Sequence, residues 1–201
     1  MYDELIRAFK ARRINCQVFK EVEDVLSYLV PLIKQKKIGV GDSITFDEIG
    51  LYEYLRRADC LFLDKYDPAL SREAKRNLYT ENFSADLFFS GVNAISMSGK
   101  LYNLDGNGSR VAPIIYGPEK VILISGTNKI CSSDEAAIER VRNTAAPMDA
   151  VRLKKKTLCA KTGKCMDCKS PDRICNYMTV VEGQFNPERI ELILIEGTFG
   201  Y

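Results

Sequence analysis

Short, unbroken apolar runs recur along this chain, each too brief for a helix and each followed by a glycine or polar loop. Val121–Ile124 within Lys-Val-Ile-Leu-Ile-Ser (120–125) is the clearest. Leu192–Ile195 and Cys60–Asp64 (Cys-Leu-Phe-Leu-Asp) are of the same kind. A strand that is apolar on both faces has to be covered on both, as strands of parallel sheets are. Between these runs the apolar residues fall at helical spacing: Leu5, Ile6 and Phe9 within 2–13, then Val25, Leu26, Leu29, Leu32 and Ile33 within 22–34. Strands alternating with helices define an α/β layered fold with a largely parallel sheet.

The remaining elements follow from local signals. Gln17–Phe19, Lys37–Gly41 and Asp86–Ser90 read as strands, and Pro31 should kink or break its helix. Thr45-x-x-Glu48 reads as a capping box opening a helix to about Arg57, which makes a βαβ unit with the strands on either side. Helices are expected over Ser71–Asn82 and Val111–Tyr116, and from the Ser132-x-x-Glu135 cap to about Thr144. Ser98-Gly99 joins Ala94–Met97 to Lys100–Asn103 as a hairpin. Tyr177–Val181 and Arg189–Glu196 read as closing strands. With 201 residues and no linker, residues 1–201 form one domain, with a Cys-rich loop at 157–177 inside it.

Residue usage narrows the chemistry. The chain has no His and no Trp but seven Cys. Absent His removes Ser-His and Cys-His couples and every imidazole-ligated metal. The charge is nearly balanced, 29 basic against 27 acidic residues, which disfavours nucleic acid as a partner. The charged N-terminus is no signal peptide, and no apolar run spans a bilayer, so a cytoplasmic address without membrane contact is expected. Residues 151–175 are the exception to the balance, with eight basic and two acidic residues.

Three polar loops follow predicted strands, the position where open α/β sheets bind ligands. The first holds Gly39, Gly41, Asp42, Ser43 and Thr45 at a strand–helix junction suited to an anion. The pattern lacks the third glycine of a dinucleotide fingerprint, and a tight turn before a capped helix explains it equally well. The second holds Gly91 and Asn93 and runs on through the hairpin to Asn103, Asp105, Asn107 and Arg110. Its spacing resembles a calcium loop, but Arg110 and Tyr116 stand where glycine and glutamate are required. The third holds Gly126, Asn128 and Lys129. Together they outline a site for a small anionic metabolite, with Arg110 and Lys129 either as its counter-charges or as solvated side chains. Asp105 and Glu48 are the candidate catalytic carboxylates; an Asx-turn accounts for the first and a capping box for the second.

Cys159-x5-Cys165-x2-Cys168-x6-Cys175 places four thiols in one basic stretch. A Cys-x2-Cys pair with two flanking thiols can hold zinc or an iron–sulfur cluster. A redox disulfide and inert thiols stay open beside it. Cys16, Cys60 and Cys131 lie in or beside apolar runs and read as packing residues.

Gly-Val-Gly-Asp-Ser-Ile-Thr-Phe-Asp-Glu-Ile-Gly (39–50) resembles the first signature of the LUD, or lactate-utilization, domain family. Ala-Asp-Leu-Phe-Phe-Ser-Gly-Val-Asn-Ala-Ile-Ser (85–96), the stretch 99–112, Lys-Val-Ile-Leu-Ile-Ser-Gly-Thr-Asn-Lys-Ile (120–130) and Ala-Ala-Pro-Met (145–148) follow in family order. Ser109 departs from the Asn expected there. The resemblance implies the Rossmann-like three-layer fold shared by sugar-phosphate isomerases, glucosamine-phosphate deaminases and coenzyme A transferases. It implies an accessory or redox subunit of lactate or organic-acid utilization working beside iron–sulfur protein partners. The other reading is a stand-alone transferase or isomerase-like enzyme on a small phosphorylated or CoA-linked acid, with structural zinc. Short members of the family resemble this chain in their Cys segment, which favours metal there. Oligomeric state is left open.

Overall fold

The computed structural model describes residues 2–201. In chain order the first half runs α1 (Tyr2–Ala11), β1 (Asn15–Phe19), α2 (Val22–Ile33), β2 (Lys37–Val40), α3 (Ile44–Glu48), α4 (Leu51–Arg57), β3 (Leu61–Phe62), α5 (Arg72–Glu81) and β4 (Leu87–Ser90). The second half runs β5 (Ala94–Ser96), β6 (Lys100–Asp105), α6 (Val111–Ile115), β7 (Lys120–Gly126), β8 (Ile130–Cys131), α7 (Asp134–Arg140), α8 (Ala146–Arg152), α9 (Leu158–Thr162), β9 (Tyr177–Val181) and β10 (Ile190–Ile195).

The six strands β1-β10-β7-β4-β2-β3 form one sheet in that order, and every pairing in it is parallel. Strand alternation sends neighbouring side chains to opposite faces. Ile122, Ile124, Ile193, Ile195 and Phe89 pack with Val25, Leu29, Phe46 and Leu55 from α2, α3 and α4. Val121, Leu123, Leu192, Leu194 and Phe88 pack on the other side with Leu5 and Phe9 of α1 and with Ile95 and Leu101. The apolar runs are therefore continuous because both faces are covered, and the expected three-layer α/β fold is the one formed. A smaller four-stranded sheet, β8-β5-β6-β9, carries the expected hairpin between β5 and β6. Among the described residues no helix is long and apolar enough to cross a membrane.

Several local expectations are corrected. Cys60–Asp64 contributes only a two-residue edge strand, with Leu61 61% exposed, because nothing pairs beyond it. The last strand does not close the sheet but is inserted between β1 and β7. Pro31 sits in the last turn of α2, which ends two residues later without an earlier break. The Thr45/Glu48 capping box does not form: Ser43 flanks the helix, and Thr45 and Glu48 find partners 154 and 152 residues away, described below. Gly50, at φ 69°, splits the expected helix into α3 and α4. Ser133 rather than Ser132 caps α7, accepting from the Ala136 N–H. That helix then continues past Thr144 through a π-helical turn (141–145) into α8, just ahead of Pro147, which has no N–H to donate.

Candidate ligand-binding site

Following the chain, β3 adds outside β2, whereas β4 adds on the opposite side of β2. The direction of winding reverses there, and the carboxyl ends of strands at such a reversal are where open parallel sheets bind ligands. A polar cleft of about 610 Å³ lies at this point, lined by residues following β2, β3, β4, β6, β7 and β10. The two first loops touch closely. A Cβ on Gly91 would stand 2.6 Å from Ser43 Oγ, and one on Gly41 would stand 2.7 Å from Arg110 Cγ. Glycine at both positions is what lets the loops close over the arginine.

Asp42, Ser43, Gly91, Asn93, Asp105, Asn107, Arg110 and Lys129 all face this cleft. The other predicted residues do different work. Gly39 lies inside β2, where a Cβ would collide with Asn82 Oδ1. Asn103 is fully buried beneath the cleft and accepts from Arg110. Asn128, Thr45 and Glu48 hold the segment 197–201, which passes so close to Gly126 that a Cβ there would lie 2.6 Å from the Phe199 nitrogen. Asn128 clamps it twice, donating to the Gly200 carbonyl and accepting from the Phe199 N–H. Thr45 donates to the Phe199 carbonyl, and Glu48 accepts from the Gly200 N–H.

Arg110 is a buried hub. Its Nη1 donates to the Gly91 carbonyl and to Asn103 Oδ1 at 2.7 Å, and its Nη2 to Asn93 Oδ1 at 2.8 Å and the Leu104 carbonyl. Its Nε faces Asp105 at 3.7 Å. All five guanidinium donors are thus aimed at protein acceptors. Asp105 is equally committed: its carboxylate accepts from the backbone N–H groups of Asn107, Gly108 and Arg110. The Asx-turn reading of Asp105 therefore describes it, and the pair positions the loop rather than offering free groups to a ligand.

On one side of the cleft Asp42 Oδ1 accepts from the buried Lys65 ammonium at 2.9 Å and from the Tyr66 hydroxyl at 2.5 Å. Burial pushes the Asp42 carboxyl up, but Lys65, Tyr66 and Arg110 outweigh it and hold it below the usual range. Lys65 Nζ also lies 5.3 Å from the Tyr66 ring and 5.7 Å from the Tyr79 ring, a cation–π arrangement.

The other side presents Lys129, only 4% exposed. Its Nζ donates to Thr45 Oγ1 at 3.1 Å, and it makes no ion pair among the described residues. Burial pushes its pKa down to about 7; Arg140 and Arg110 act in the same direction and Glu48 opposes them.

Lys65, Tyr66, Lys75, Tyr79, Arg152, Lys155, Arg173 and Tyr201 carry no motif, and sequence reasoning missed them. All but Lys65 line the cleft, and Lys65 reaches it through Asp42. The basic excess of 151–175 was the one available signal: Arg152, Lys155 and Arg173 come from it, and basic lining residues outnumber acidic ones six to four.

The Cys segment borders the cleft through Pro171–Ile174. Arg173 ties it together, donating to the carbonyls of Cys168 and Cys175. Cys159, Cys165, Cys168 and Cys175 are free and half-buried. Among the described residues no three His, Cys, Asp or Glu side chains stand together so as to hold a metal ion. The four thiols that the spacing offers as a tetrathiolate shell are therefore not gathered into one group in this arrangement.

A doubly covered parallel sheet with a cationic cleft at its switch point is the class of protein this is. The LUD domain model matches residues 2–195, and the chain belongs to the LUD domain family. No curated protein matches the chain significantly. Among solved structures it is similar to a DUF162 family protein from Deinococcus radiodurans, 15% identical over 98% of this chain and 99% of that one, with a TM-score of 0.48. It is also similar to eIF2B beta from Chaetomium thermophilum (14% identity, 57% and 44% of the chains, TM-score 0.38). A third is ribose 5-phosphate isomerase from Plasmodium falciparum (15% identity, 55% and 52% of the chains, TM-score 0.32).

Proposed function

We propose that the chain binds a small organic acid anion in this cleft and serves lactate or related organic-acid utilization as an accessory subunit, with iron–sulfur chemistry residing on partner proteins. The observation that carries the reading is the cationic lining of a cleft at the switch point of a parallel sheet. Arg110 and Asp105 fix the floor, while Lys75 and Lys155, which make no ion pair among the described residues, supply accessible positive charge. Family membership supports the metabolic setting. No step in this reading passes through a metal.

Titration calorimetry of the purified chain with L-lactate, pyruvate and inorganic phosphate tests it. At least one should bind, more weakly as salt is raised. The double variant Lys75→Ala/Lys155→Ala should lose about tenfold in affinity, in line with two accessible charges of modest worth each. Binding that ignores both the variant and the salt would remove the cleft from consideration. A stand-alone enzyme of transferase or isomerase type is the second reading, and the unpaired amine of Lys129 is what favours it.

A further inference from the structure

A buried lysine needs an explanation that a surface one does not. An ammonium carries three N–H donors, and among the described residues Lys129 Nζ has one acceptor, Thr45 Oγ1. That hydroxyl passes its own proton on to the Phe199 carbonyl, so it receives from the lysine through its lone pair. The carboxylate that acts on the amine, Glu48, is engaged by the Gly200 N–H. The facing charges are the guanidinium groups of Arg110 and Arg140. A neutral amine leaves one N–H without an acceptor where an ammonium leaves two, and it buries no charge beside the two guanidinium groups, so this environment favours the neutral form.

A neutral amine is a poor counter-ion and a good nucleophile. The cleft already has cations for a carboxylate, so a ligand that used every group would combine a carboxylate with an electrophilic carbonyl. We propose that Lys129 is an imine-forming lysine for a small 2-oxo acid. The proposal rests on the anion-site reading above and names the substrate class for it. The Nζ lone pair adds to the keto carbon, and one amine proton goes to the carbonyl oxygen to give a carbinolamine. The remaining N–H proton leaves with that hydroxyl as water, forming the C=N bond. No oxidant, reductant or metal enters the balance.

Trapping tests it. The full chain is incubated near neutral pH with pyruvate or glyoxylate and cyanoborohydride, and the reduced adduct is located by peptide mass spectrometry. L-lactate, which has the carboxylate but no carbonyl, is the control. A saturable adduct at Lys129, absent with L-lactate and absent in Lys129→Met, is the expected result. Calorimetry on the same samples separates the two claims. Pyruvate that binds without modifying Lys129, or adducts scattered over surface lysines, overturns the imine and leaves the anion site standing. Failure of both oxo acids, L-lactate and phosphate to bind overturns the site and the imine with it. Lys129→Met guards against a folding artefact, since it removes the amine without fixing a charge in the buried pocket: its circular dichroism and thermal unfolding should be those of a folded chain while the saturable adduct is lost, and an adduct that persists on the cleft peptides overturns the assignment.

Discussion

Lys65 and Lys129 are equally buried, each 4% exposed, and belong to opposite sides of one cleft, yet their surroundings differ in kind. Lys65 has a carboxylate at 2.9 Å and two tyrosine rings around its ammonium. Burial pushes its pKa down, and Asp42 pulls it back. Lys129 has one hydroxyl acceptor and two arginines acting on it. The first is a buried charge with its partner supplied, and the second is a buried charge that is relieved by giving up a proton. Arg110, whose charge acts on both lysines, has four hydrogen bonds from its two terminal nitrogens and a carboxylate 3.7 Å from its Nε.

Arg110 should therefore give the largest effect of any single change in the cleft. Arg110→Ala removes the guanidinium donors to Asn103 Oδ1, Asn93 Oδ1 and the Gly91 and Leu104 carbonyls, and it takes the counter-charge away from the buried Asp105 carboxylate. A loss of about 4 kcal/mol is expected, the scale seen when a partner is stripped from a buried charged network. Urea denaturation measures it. A loss below about 1 kcal/mol would mean that the loops hold themselves and that the hub is incidental.

Lys129→Met should move stability the other way. Folding lowers the pKa of this lysine from the free value near 10.4 to about 7. Between those values the unfolded chain binds the extra proton, so native stability rises with pH across that window. At and below pH 7 the penalty is on the order of 4 kcal/mol. Recovering roughly half of it would stabilise the variant by about 2 kcal/mol and raise Tm by about 5 °C at pH 7. The gain should shrink toward pH 10. A variant no more stable than the parent at pH 7, or a difference that is flat with pH, contradicts the neutral-amine picture. Asp42→Asn makes the complementary test, since it strips Lys65 of its partner. Because the Asp42 side chain is half exposed, about 2 kcal/mol of destabilisation is expected at pH 7. The native carboxylate is held below its ordinary value, so that contribution is present above about pH 4 and is lost as pH falls through the lowered pKa.

The same contrast explains what the sequence disclosed. The layers were legible because runs such as Val121–Ile124 have to be covered on both faces. The loops after β2 and β4 were legible because glycine before a helix or a turn has few other uses. Lys65, Tyr66, Lys75 and Tyr79 were not, because nothing local marks a lysine whose partner is Asp42, 23 residues earlier in the chain. Thr45 and Glu48 were misread for the same reason. Their spacing suits a capping box, but Phe199 and Gly200 arrive from the far end of the fold and take both side chains. The cysteine spacing was legible as a motif, whereas the positions of the thiols depend on Arg173 and on the path of the segment around it.

The smallest expected effect tests whether that long-range packing is what keeps Lys129 apart from Lys65. Asn128 clamps the Phe199 and Gly200 backbone, and a Cβ on Gly200 would lie 3.0 Å from Lys129 Nζ. The segment thus forms part of the wall that dries the amine. Asn128→Ala removes two hydrogen bonds at the partly buried edge of the fold and should cost about 1 kcal/mol. Its sharper consequence is electrostatic. With the wall loosened, water reaches Nζ, the ammonium is solvated, and the pKa of Lys129 climbs back toward an ordinary lysine. Competitive acylation of Lys129 across pH reads that pKa directly. An upward move in Asn128→Ala, with Lys65 unchanged, ties the neutral amine to the cover made by 197–201. If the titration of Lys129 stays where it was, the two arginines suffice by themselves, and the difference between the lysines is one of charge rather than of burial.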